Sequence, residues 1–333
     1  MRAKLGFWIG LGAISVVLGA LLFQFWRSNE IRLDPRVAIS APQKKSLRFS
    51  HEKPAATDVG ESVPQAMATK ELKEEAQIQH HVDVLVSLLE QGRDSEFLQQ
   101  LDRLLAQSPQ QPDLLALQAD YYYMKQNWVG AESALQRLVA VEPDNHFAQS
   151  SLGEIQGILG KFDESMKNFN DVLSKEPGRL EALYGIISVS ELSGNPQVGI
   201  EQVKSLAREH SDIANIQLVL ADILYSEGKS VERDQVLQDL IRRHPEEPGA
   251  YRFLANDALR RQDYKTAAKL AQESLRRDRD PETRNDALEV LKESALRTQN
   301  VAMARKIILL QKESDPSNET YDLQIQQIDQ KQN

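Results

Sequence analysis

Histidine commonly serves proteins as a metal ligand or as a general base near neutral pH, and this chain contains six histidines. His80 and His81 are adjacent on a segment with helical periodicity, so their side chains are expected to point about 100° apart. His210 and His244 are separated by an interval that other residues of the chain repeat. They are therefore expected at equivalent places in two successive units, too far apart to bind one metal ion. These patterns predict no metal site.

One glycine-containing stretch has some features of a phosphate-binding loop. Gly160 and Lys161 are adjacent, as in the P-loop motif, but the motif also needs glycine where Ile155 stands and serine or threonine where Phe162 stands. The chain has no cysteine, which excludes disulfides, thiolate zinc sites and a cysteine nucleophile. Its carboxylates are spread as expected for a solvated helical surface. We therefore predict no catalytic residue and no cofactor, and a protein that is not an enzyme.

The overall charge argues against one class of partner. The formal net charge is −9 and the isoelectric point is about 5.3. A protein that binds nucleic acid through phosphate contacts normally carries a basic surface. We therefore expect no nucleic-acid partner.

The most informative pattern is a regular spacing of prolines. The interval from Pro109 to Pro143 equals the interval from Pro143 to Pro177, and Pro245 lies two such intervals beyond Pro177. Recurrence at an interval of about 34 residues is typical of repeat proteins. The sequence therefore predicts one supersecondary unit repeated along the chain.

Each interval contains two segments of helical length with apolar residues at i, i+3, i+4 and i+7, which indicates two amphipathic helices. Neither helix of such a pair can bury its apolar side alone, so the pairs are expected to stack. The two helices of a pair are separated by short polar breaks, at 126–127, 160–161, 194–195, 227–229, 261–263 and 298–300.

This organisation resembles the tetratricopeptide repeat family, whose unit is a helix-turn-helix of this length. If Pro143 and Pro177 are the family's closing prolines, the corresponding units begin at Pro112 and His146. Other residues match the family's small, aromatic and apolar signature positions: Ala119, Tyr122, Ala131, Leu152, Gly153, Phe169, Leu254, Ala255, Ala267, Leu291 and Ala304. The resemblance implies an all-α fold, an α-solenoid of about seven such units over residues 70–316.

Two units depart from the family's pattern. Gly199 in the fourth unit and Arg233 in the fifth occupy a position where a small residue such as alanine is usual. The resemblance therefore does not define the boundaries of these two repeats.

The resemblance also implies a binding surface, because the first helix of each unit in this family lines a concave groove that binds peptides. Carrying the family's groove positions onto this sequence predicts acidic residues in the middle of the groove, tyrosines beside them, and a basic end in the sixth unit. Tyrosine suits such a surface because it combines apolar area with a polar tip. The predicted residues are Asp120, Tyr123, Glu154, Tyr184, Asp222, Tyr225, Arg252, Asn256 and Arg260.

Residues 5–26 contain no charged side chain. As a helix they would rise about 33 Å, enough to cross a hydrocarbon core of about 30 Å. The alternative is a cleaved signal peptide, but cleavage needs small residues after the apolar run. Phe23, Gln24, Phe25 and Trp26 stand there instead. We therefore predict a retained, single-pass signal anchor within residues 1–30.

Charges on both sides of residues 5–26 leave the orientation of this anchor open. A long domain translocates largely regardless of its charge. The expected location is therefore a bacterial inner membrane with the repeats on the periplasmic side, and the alternative places the repeats in the cytoplasm. Residues 31–69 contain four prolines and few large apolar residues, which predicts a disordered linker. Residues 317–333 are expected to form a capping helix and a tail.

Together these features predict a membrane-tethered scaffold or chaperone-like assembly factor that binds a peptide or protein client in the groove. The alternative is a structural adaptor that self-associates, as a homo-oligomer, through its membrane helix or its convex face.

Overall fold

The computed structural model of the protein describes residues 65–330, except 317 and 319. The predicted membrane segment at 5–26 and most of the predicted linker lie outside these residues. The described part is all-α, with fifteen helices and no strand. The helices are α1 Gln65–Glu90, α2 Asp94–Gln107, α3 Pro112–Met124, α4 Trp128–Val141, α5 His146–Ile158, α6 Phe162–Lys175, α7 Leu180–Leu192, α8 Pro196–Glu209, α9 Ala214–Ser226, α10 Ser230–Arg243, α11 Pro248–Arg260, α12 Tyr264–Arg277, α13 Pro281–Arg297, α14 Val301–Ser314 and α15 Thr320–Gln330.

The helix lengths confirm the predicted repeat. From α3 to α12, every first helix of a pair has 13 residues and every second helix has 14. The second and third pairs begin at Pro112 and His146, as predicted. The fourth and fifth pairs, whose boundaries the sequence pattern did not define, have the same lengths as their neighbours. None of the described helices combines the length and the apolar character that crossing a bilayer requires.

The first helix begins earlier than the sequence pattern indicates. The apolar periodicity predicts a helix from Lys70, whereas α1 begins at Gln65, inside the segment predicted as linker. Residues 66–68 are Ala, Met and Ala, which have high helix propensity and extend the helix without contributing to the periodic pattern. At the other end, the predicted capping helix corresponds to α15, which begins at Thr320.

The breaks inside the pairs share one backbone feature, a residue in the left-handed region with φ between 56° and 81°. This conformation is favourable for glycine and strained for other residues. Where the residue is glutamine, the next residue caps the following helix: Asn127, Asp263 and Asn300 each accept a hydrogen bond from a backbone N–H three residues ahead. Such a cap stabilises a helix by about 1 kcal/mol and offsets the strain. The left-handed residues are Gly92, Gln126, Gly160, Gly194, Gly228, Gln262 and Gln299.

The described residues divide into two compact units, with the division between Ile216 and Gln217 inside α9. We call residues 65–216 the N-terminal unit and residues 217–330 the C-terminal unit. Consecutive helices pack against each other from α1 to α8 and from α10 to α15, and first helices also contact first helices, as α5 does α7 and α11 does α13.

The core of the N-terminal unit depends on close approach between helices. The ring of Phe169 on α6 lies against two glycines, Gly153 on α5 and Gly185 on α7, and a Cβ atom added at Gly153 would lie 3.0 Å from the ring. Both glycines are therefore needed for packing. The first pair is closed by Leu85, Phe97 and Leu101, which are fully buried.

A small residue also stands near the start of the last three second helices in this unit. It is Ala131 on α4, Ser165 on α6 and Gly199 on α8, and all three are buried. The Ser165 hydroxyl donates to the Gly153 carbonyl at 2.6 Å. A Cβ atom at Gly199 would lie 2.7 Å from the Ile186 carbonyl oxygen and 2.9 Å from the Cα atom of Ile187. The backbones of α7 and α8 are therefore in direct contact at Gly199.

The C-terminal unit has a different residue at this repeat position in α10. Arg233 is only 2 % exposed, and its Nη2 atom lies 2.6 Å from Asp234 Oδ1 and 3.1 Å from Asp257 Oδ2. Arg261, an exposed residue, also pairs with Asp257 at 2.7 Å. Burial alone would lower the pKa of Arg233, but the hydrogen bonds and charges of the two aspartates outweigh burial and raise it. The guanidinium therefore remains charged in the interior.

The rest of this unit follows the alanine-rich pattern of the family. Ala255, Ala267 and Ala271 are fully buried and pack with Leu291 of α13. Tyr321 and Ile328 of α15 cover Ile308 and Ala304 of α14, which closes the apolar core at the C-terminal end of the described residues.

Candidate binding surface

All nine predicted binding residues lie on first helices. Four belong to the N-terminal unit, with Asp120 and Tyr123 on α3, Glu154 on α5 and Tyr184 on α7. The other five belong to the C-terminal unit, with Asp222 and Tyr225 on α9 and Arg252, Asn256 and Arg260 on α11.

The two aspartates at the predicted acidic centre are buried. Asp120 is 3 % exposed and Asp222 is 1 % exposed, whereas Glu154, at the same repeat position in α5, is partly exposed. The sequence assigns all three carboxylates the same repeat position, but the packing of neighbouring helices leaves only Glu154 in contact with solvent. Asp120 and Asp222 are therefore interior groups of their units.

Tyr123 joins two first helices in the N-terminal unit. Its hydroxyl donates a hydrogen bond to Glu154 Oε1 at 3.0 Å, and its ring packs edge-on against Trp128, with 5.5 Å between ring centroids. Tyr123 is itself buried. This contact brings together two residues that the sequence predicted separately and fixes the direction of the Glu154 side chain. Tyr184, on α7, is partly exposed.

Three exposed apolar side chains, which sequence reasoning missed, end the first helices of this unit. Met124, Ile158 and Leu192 are the last residues of α3, α5 and α7, and they are 47 %, 43 % and 58 % exposed. We call them the apolar row. Their recurrence at the repeat interval was the available signal, but helical periodicity alone does not tell whether a terminal residue is covered.

Glu191 lies beside the apolar row on α7. Its side chain receives no hydrogen bond or ion pair from the described residues, and burial raises the pKa of its carboxyl group. At the same repeat position, Tyr123 stands on α3 and Gly157 on α5. Gly157 is buried, and a Cβ atom there would lie 3.4 Å from Ser165 Oγ and 3.7 Å from Val189 Cγ2.

The predicted basic residues of the C-terminal unit make contacts within that unit. The Arg260 guanidinium stacks on the ring of Tyr225, 4.5 Å from its centroid, and the Arg233 guanidinium lies 5.5 Å from the same ring. Arg252 Nη1 lies 3.5 Å from Asp278 Oδ2. The Asn256 amide donates to the Arg252 carbonyl at 3.1 Å. Arg260 is exposed, and Tyr225, Arg252 and Asn256 are partly exposed.

The histidines and carboxylates of the described residues are dispersed rather than clustered. Nowhere in residues 65–330 do three histidine, aspartate or glutamate side chains gather in a way that could hold a metal ion. His210 and His244 both follow second helices, as the C-caps of α8 and α10, and so occupy equivalent repeat positions.

Comparison with known proteins identifies a family for part of the chain. A family model described as tetratricopeptide repeat matches residues 235–311, from α10 into α14. Residues 235–311 are therefore identified as tetratricopeptide repeats. The matched region lies inside the C-terminal unit, and the N-terminal unit continues the same interval and helix lengths. Proteins built from tetratricopeptide repeats typically act as non-catalytic scaffolds for protein–protein interaction.

Curated relatives match only part of this chain. ER membrane protein complex subunit 2-A of Xenopus laevis is 28 % identical over 118 residues, which is 34 % of this chain and 40 % of that protein. ER membrane protein complex subunit 2 of Xenopus tropicalis is 27 % identical over the same length. The chain therefore spans about two fifths of the length of these relatives.

Similar solved structures include yeast Tom70, with a TM-score of 0.48 and 16 % identity over 68 % of this chain and 49 % of that one. A tetratricopeptide repeat protein from Parabacteroides merdae gives a TM-score of 0.43 and 16 % identity over 69 % of this chain and 89 % of that one.

Proposed function

We propose that the protein is a membrane-tethered scaffold, or chaperone-like assembly factor, whose tetratricopeptide repeats bind a peptide or protein client on the surface of their first helices. One observation carries the proposal. The partly exposed aromatic and polar side chains predicted from the family's groove positions all belong to first helices: Glu154, Tyr184, Tyr225, Arg252 and Asn256. Such side chains give a surface both apolar area and hydrogen-bonding groups, which protein recognition requires.

The predicted residues that are buried have a supporting role in this proposal. Asp120 and Asp222 are nearly inaccessible, so a client would not pair with their carboxylates without local opening. The proposed contacts are therefore Glu154 and Tyr184 in the N-terminal unit and Tyr225, Arg252, Asn256 and Arg260 in the C-terminal unit. Tyr123 orients Glu154 through its hydrogen bond.

The membrane part of the proposal has separate support. Residues 5–26 are long and apolar enough to span a bilayer. The partial relatives are, by name, subunits of a membrane protein complex of the endoplasmic reticulum. We therefore propose that the anchor holds the repeats at a membrane, on the periplasmic side of a bacterial inner membrane, where they assist the assembly of a membrane protein complex.

Site-specific photocrosslinking in intact cells tests client binding. A photoreactive amino acid is placed at Tyr184 or Tyr225 on first helices and, as matched controls, at Val129 or Val231, which are exposed on second helices. We expect a discrete adduct with another protein from the first-helix positions and little from the controls. Equal labelling from all four positions, or adducts only with a second copy of this chain, contradicts the proposal and favours the self-associating adaptor.

The anchor is tested by membrane extraction and by a reporter. Full-length protein is expected to resist alkaline extraction of membranes, and deletion of residues 1–30 is expected to release the protein into the soluble fraction. A C-terminal reporter that is active only outside the cytoplasm is expected to be active. A reporter active only in the cytoplasm would reverse the proposed topology.

A further inference from the structure

The apolar row of the N-terminal unit has no counterpart at the same repeat position of the C-terminal unit. Met124, Ile158 and Leu192 end three consecutive first helices, whereas the corresponding residues of α9 and α11 are Ser226 and Arg260. A single exposed apolar residue is normal on a protein surface, but apolar side chains gathered in one place usually mark an interaction surface.

Contacts between the helices show that the row is continuous on one side of the unit. The Leu192 Cδ1 atom lies 3.9 Å from the position that a Cβ atom would take at Gly157, the residue before Ile158. Tyr123, the residue before Met124, donates its hydroxyl hydrogen bond to Glu154, one turn before Ile158. The ends of α3, α5 and α7 are therefore neighbours, and the three apolar side chains lie along one surface.

The charges beside the row indicate what it can bind. Glu154 and Glu191 border it, and Glu191 has no hydrogen bond or ion pair within the described residues although its carboxyl group is partly desolvated. A partly desolvated carboxylate gains most from a cationic partner. Glu191 is itself partly exposed, so a long cationic side chain of a ligand can reach its carboxylate.

The same charges disfavour two other occupants. A second copy of this chain would bring a net charge of −9 and, in a symmetric contact, the same glutamates against each other. An anionic lipid surface would likewise be repelled by Glu154 and Glu191. A protein segment with apolar and cationic side chains satisfies both features of the surface.

We propose that the apolar row binds an amphipathic segment of a partner protein, which seats large apolar side chains on Met124, Ile158 and Leu192 and directs a lysine or arginine to Glu191. This inference rests on the proposed function and names the chemical class of the client. An amphipathic helix on an apolar surface is a common mode of peptide recognition, with the apolar residues as anchors and the charges setting the selectivity.

Three labelled peptides of equal length test this proposal against the full-length protein in zwitterionic nanodiscs, with empty nanodiscs as the blank. The first peptide contains leucine and lysine, the second leucine and glutamate, and the third serine and lysine, all in the same helical pattern. Fluorescence anisotropy gives the dissociation constants. The leucine–lysine peptide is expected to bind at least about tenfold more tightly than either of the others, a difference of about 1.4 kcal/mol.

Variants locate the binding. The triple change Met124→Ser, Ile158→Ser, Leu192→Ser is expected to weaken binding of the leucine–lysine peptide by at least about tenfold. The matched control Val129→Ser, Val198→Ser removes exposed apolar side chains from second helices of the same unit and is expected to leave binding unchanged. Glu191→Lys is expected to transfer the preference to the leucine–glutamate peptide, a gain that a misfolded protein cannot show.

Several results would overturn the proposal: equal binding of the three peptides, equal weakening by the control variant, or no change of preference with Glu191→Lys. If the triple variant lowers the oligomeric mass of the protein without peptide, the row is instead a contact between copies. The proposed function is judged separately. Client crosslinks from Tyr184 or Tyr225 would sustain it even if the row binds no peptide, and peptide binding at the row without such crosslinks would leave it unsupported.

Discussion

The fourth and fifth repeats pack their helices in opposite ways at one repeat position, near the start of the second helix. Near the start of α8, in the N-terminal unit, Gly199 lets the backbone of its helix touch that of α7. At the same repeat position of α10, in the C-terminal unit, Arg233 fills the space and extends to Asp257 on α11. Both helices keep the same length of 14 residues. The repeat therefore tolerates a large buried residue where the next first helix supplies a compensating charge.

This comparison also shows how the fourth and fifth repeats differ in what holds their helices together. In the fourth repeat the contact at this position is steric and needs glycine. In the fifth repeat the contact is electrostatic and involves a pair of aspartates. A buried ion pair is costly to form and more costly to break by removing one partner, because the other charge is left desolvated. The following variants test this difference.

The largest effect is expected for Arg233→Ala. This variant places a small residue on α10, as Gly199 is on α8, but it does not bring the helix backbones into contact. The change removes a 2 % exposed cation, leaves a cavity and leaves Asp234 and Asp257 without their buried partner. We expect the free energy of unfolding to fall by about 3 kcal/mol, measured by urea denaturation of the full-length protein.

Arg261→Ala is the matched control for this variant. Arg261 pairs with the same two aspartates but is exposed, so solvent screens its contribution and the loss should be below about 1 kcal/mol. Equal losses for Arg233→Ala and Arg261→Ala would show that the burial of Arg233 contributes nothing to the stability of the fifth repeat.

The second effect concerns Gly199→Ala in the N-terminal unit. Alanine favours helix by about 1 kcal/mol over glycine, but the new Cβ atom would meet backbone atoms of α7 at 2.7 and 2.9 Å. We expect a net loss of about 1 to 3 kcal/mol. In Gly157→Ala the nearest atom, Ser165 Oγ, lies at 3.4 Å, so the same change should be neutral or stabilising. A stabilising Gly199→Ala would refute the steric account.

A smaller effect, shared by both units, is expected at the breaks inside the pairs. Gln126→Gly and Gln262→Gly relieve left-handed residues, one in each unit, and should each raise the free energy of unfolding by about 0.5 to 1 kcal/mol. Gln136→Gly, within helix α4, should lower it by about 1 kcal/mol. If all three substitutions change the free energy of unfolding in the same direction, the left-handed conformation does not determine the residue preference at Gln126 and Gln262.

The smallest effect concerns Glu191 and its dependence on pH. Burial raises the pKa of this carboxyl above its unfolded value of 4.5, so the folded state favours the protonated form and ionisation costs stability as pH rises through the folded pKa. Glu191→Gln is therefore expected to raise the melting temperature at pH 7 by a small amount, with the gain disappearing as pH falls towards 4. A gain that is constant with pH would contradict this account.

The surfaces of the two units differ as well. Three first helices of the N-terminal unit, α3, α5 and α7, end in exposed apolar side chains beside Glu154 and Glu191. In the C-terminal unit, α11 ends in Arg260, which stacks on Tyr225. One unit therefore offers apolar area and negative charge, and the other a positive charge held against an aromatic ring. The peptide series described above applies to the first of these surfaces.

Much of the fold was predictable because it depends on local patterns. The fixed repeat interval, the starts at Pro112 and His146 and the breaks inside the pairs follow from periodicity, proline and glycine. The regular length of the fourth and fifth repeats was not predicted, because Gly199 and Arg233 were compared with a family preference for small residues. The backbone contact at Gly199 and the aspartates around Arg233 come from other helices, and no local pattern contains them.

The candidate site was less predictable, because exposure depends on neighbours that are distant in sequence. Family positions placed all nine predicted residues on first helices, but they did not distinguish buried Asp120 and Asp222 from partly exposed Glu154. The same reasoning passed over Met124, Ile158 and Leu192, since an apolar residue at the end of an amphipathic helix is normally assigned to the core.

The sequence by itself determined that paired helices recur at a fixed interval, because helix periodicity, caps and turn residues act within a few residues of one another. Only the tertiary structure decided the environment of each side chain. Glu154 is in contact with solvent, Arg233 is buried with two aspartates, and Glu191 has no partner among the described residues. These outcomes depend on how closely separate helices approach, and that distance is set by side chains brought together from different repeats.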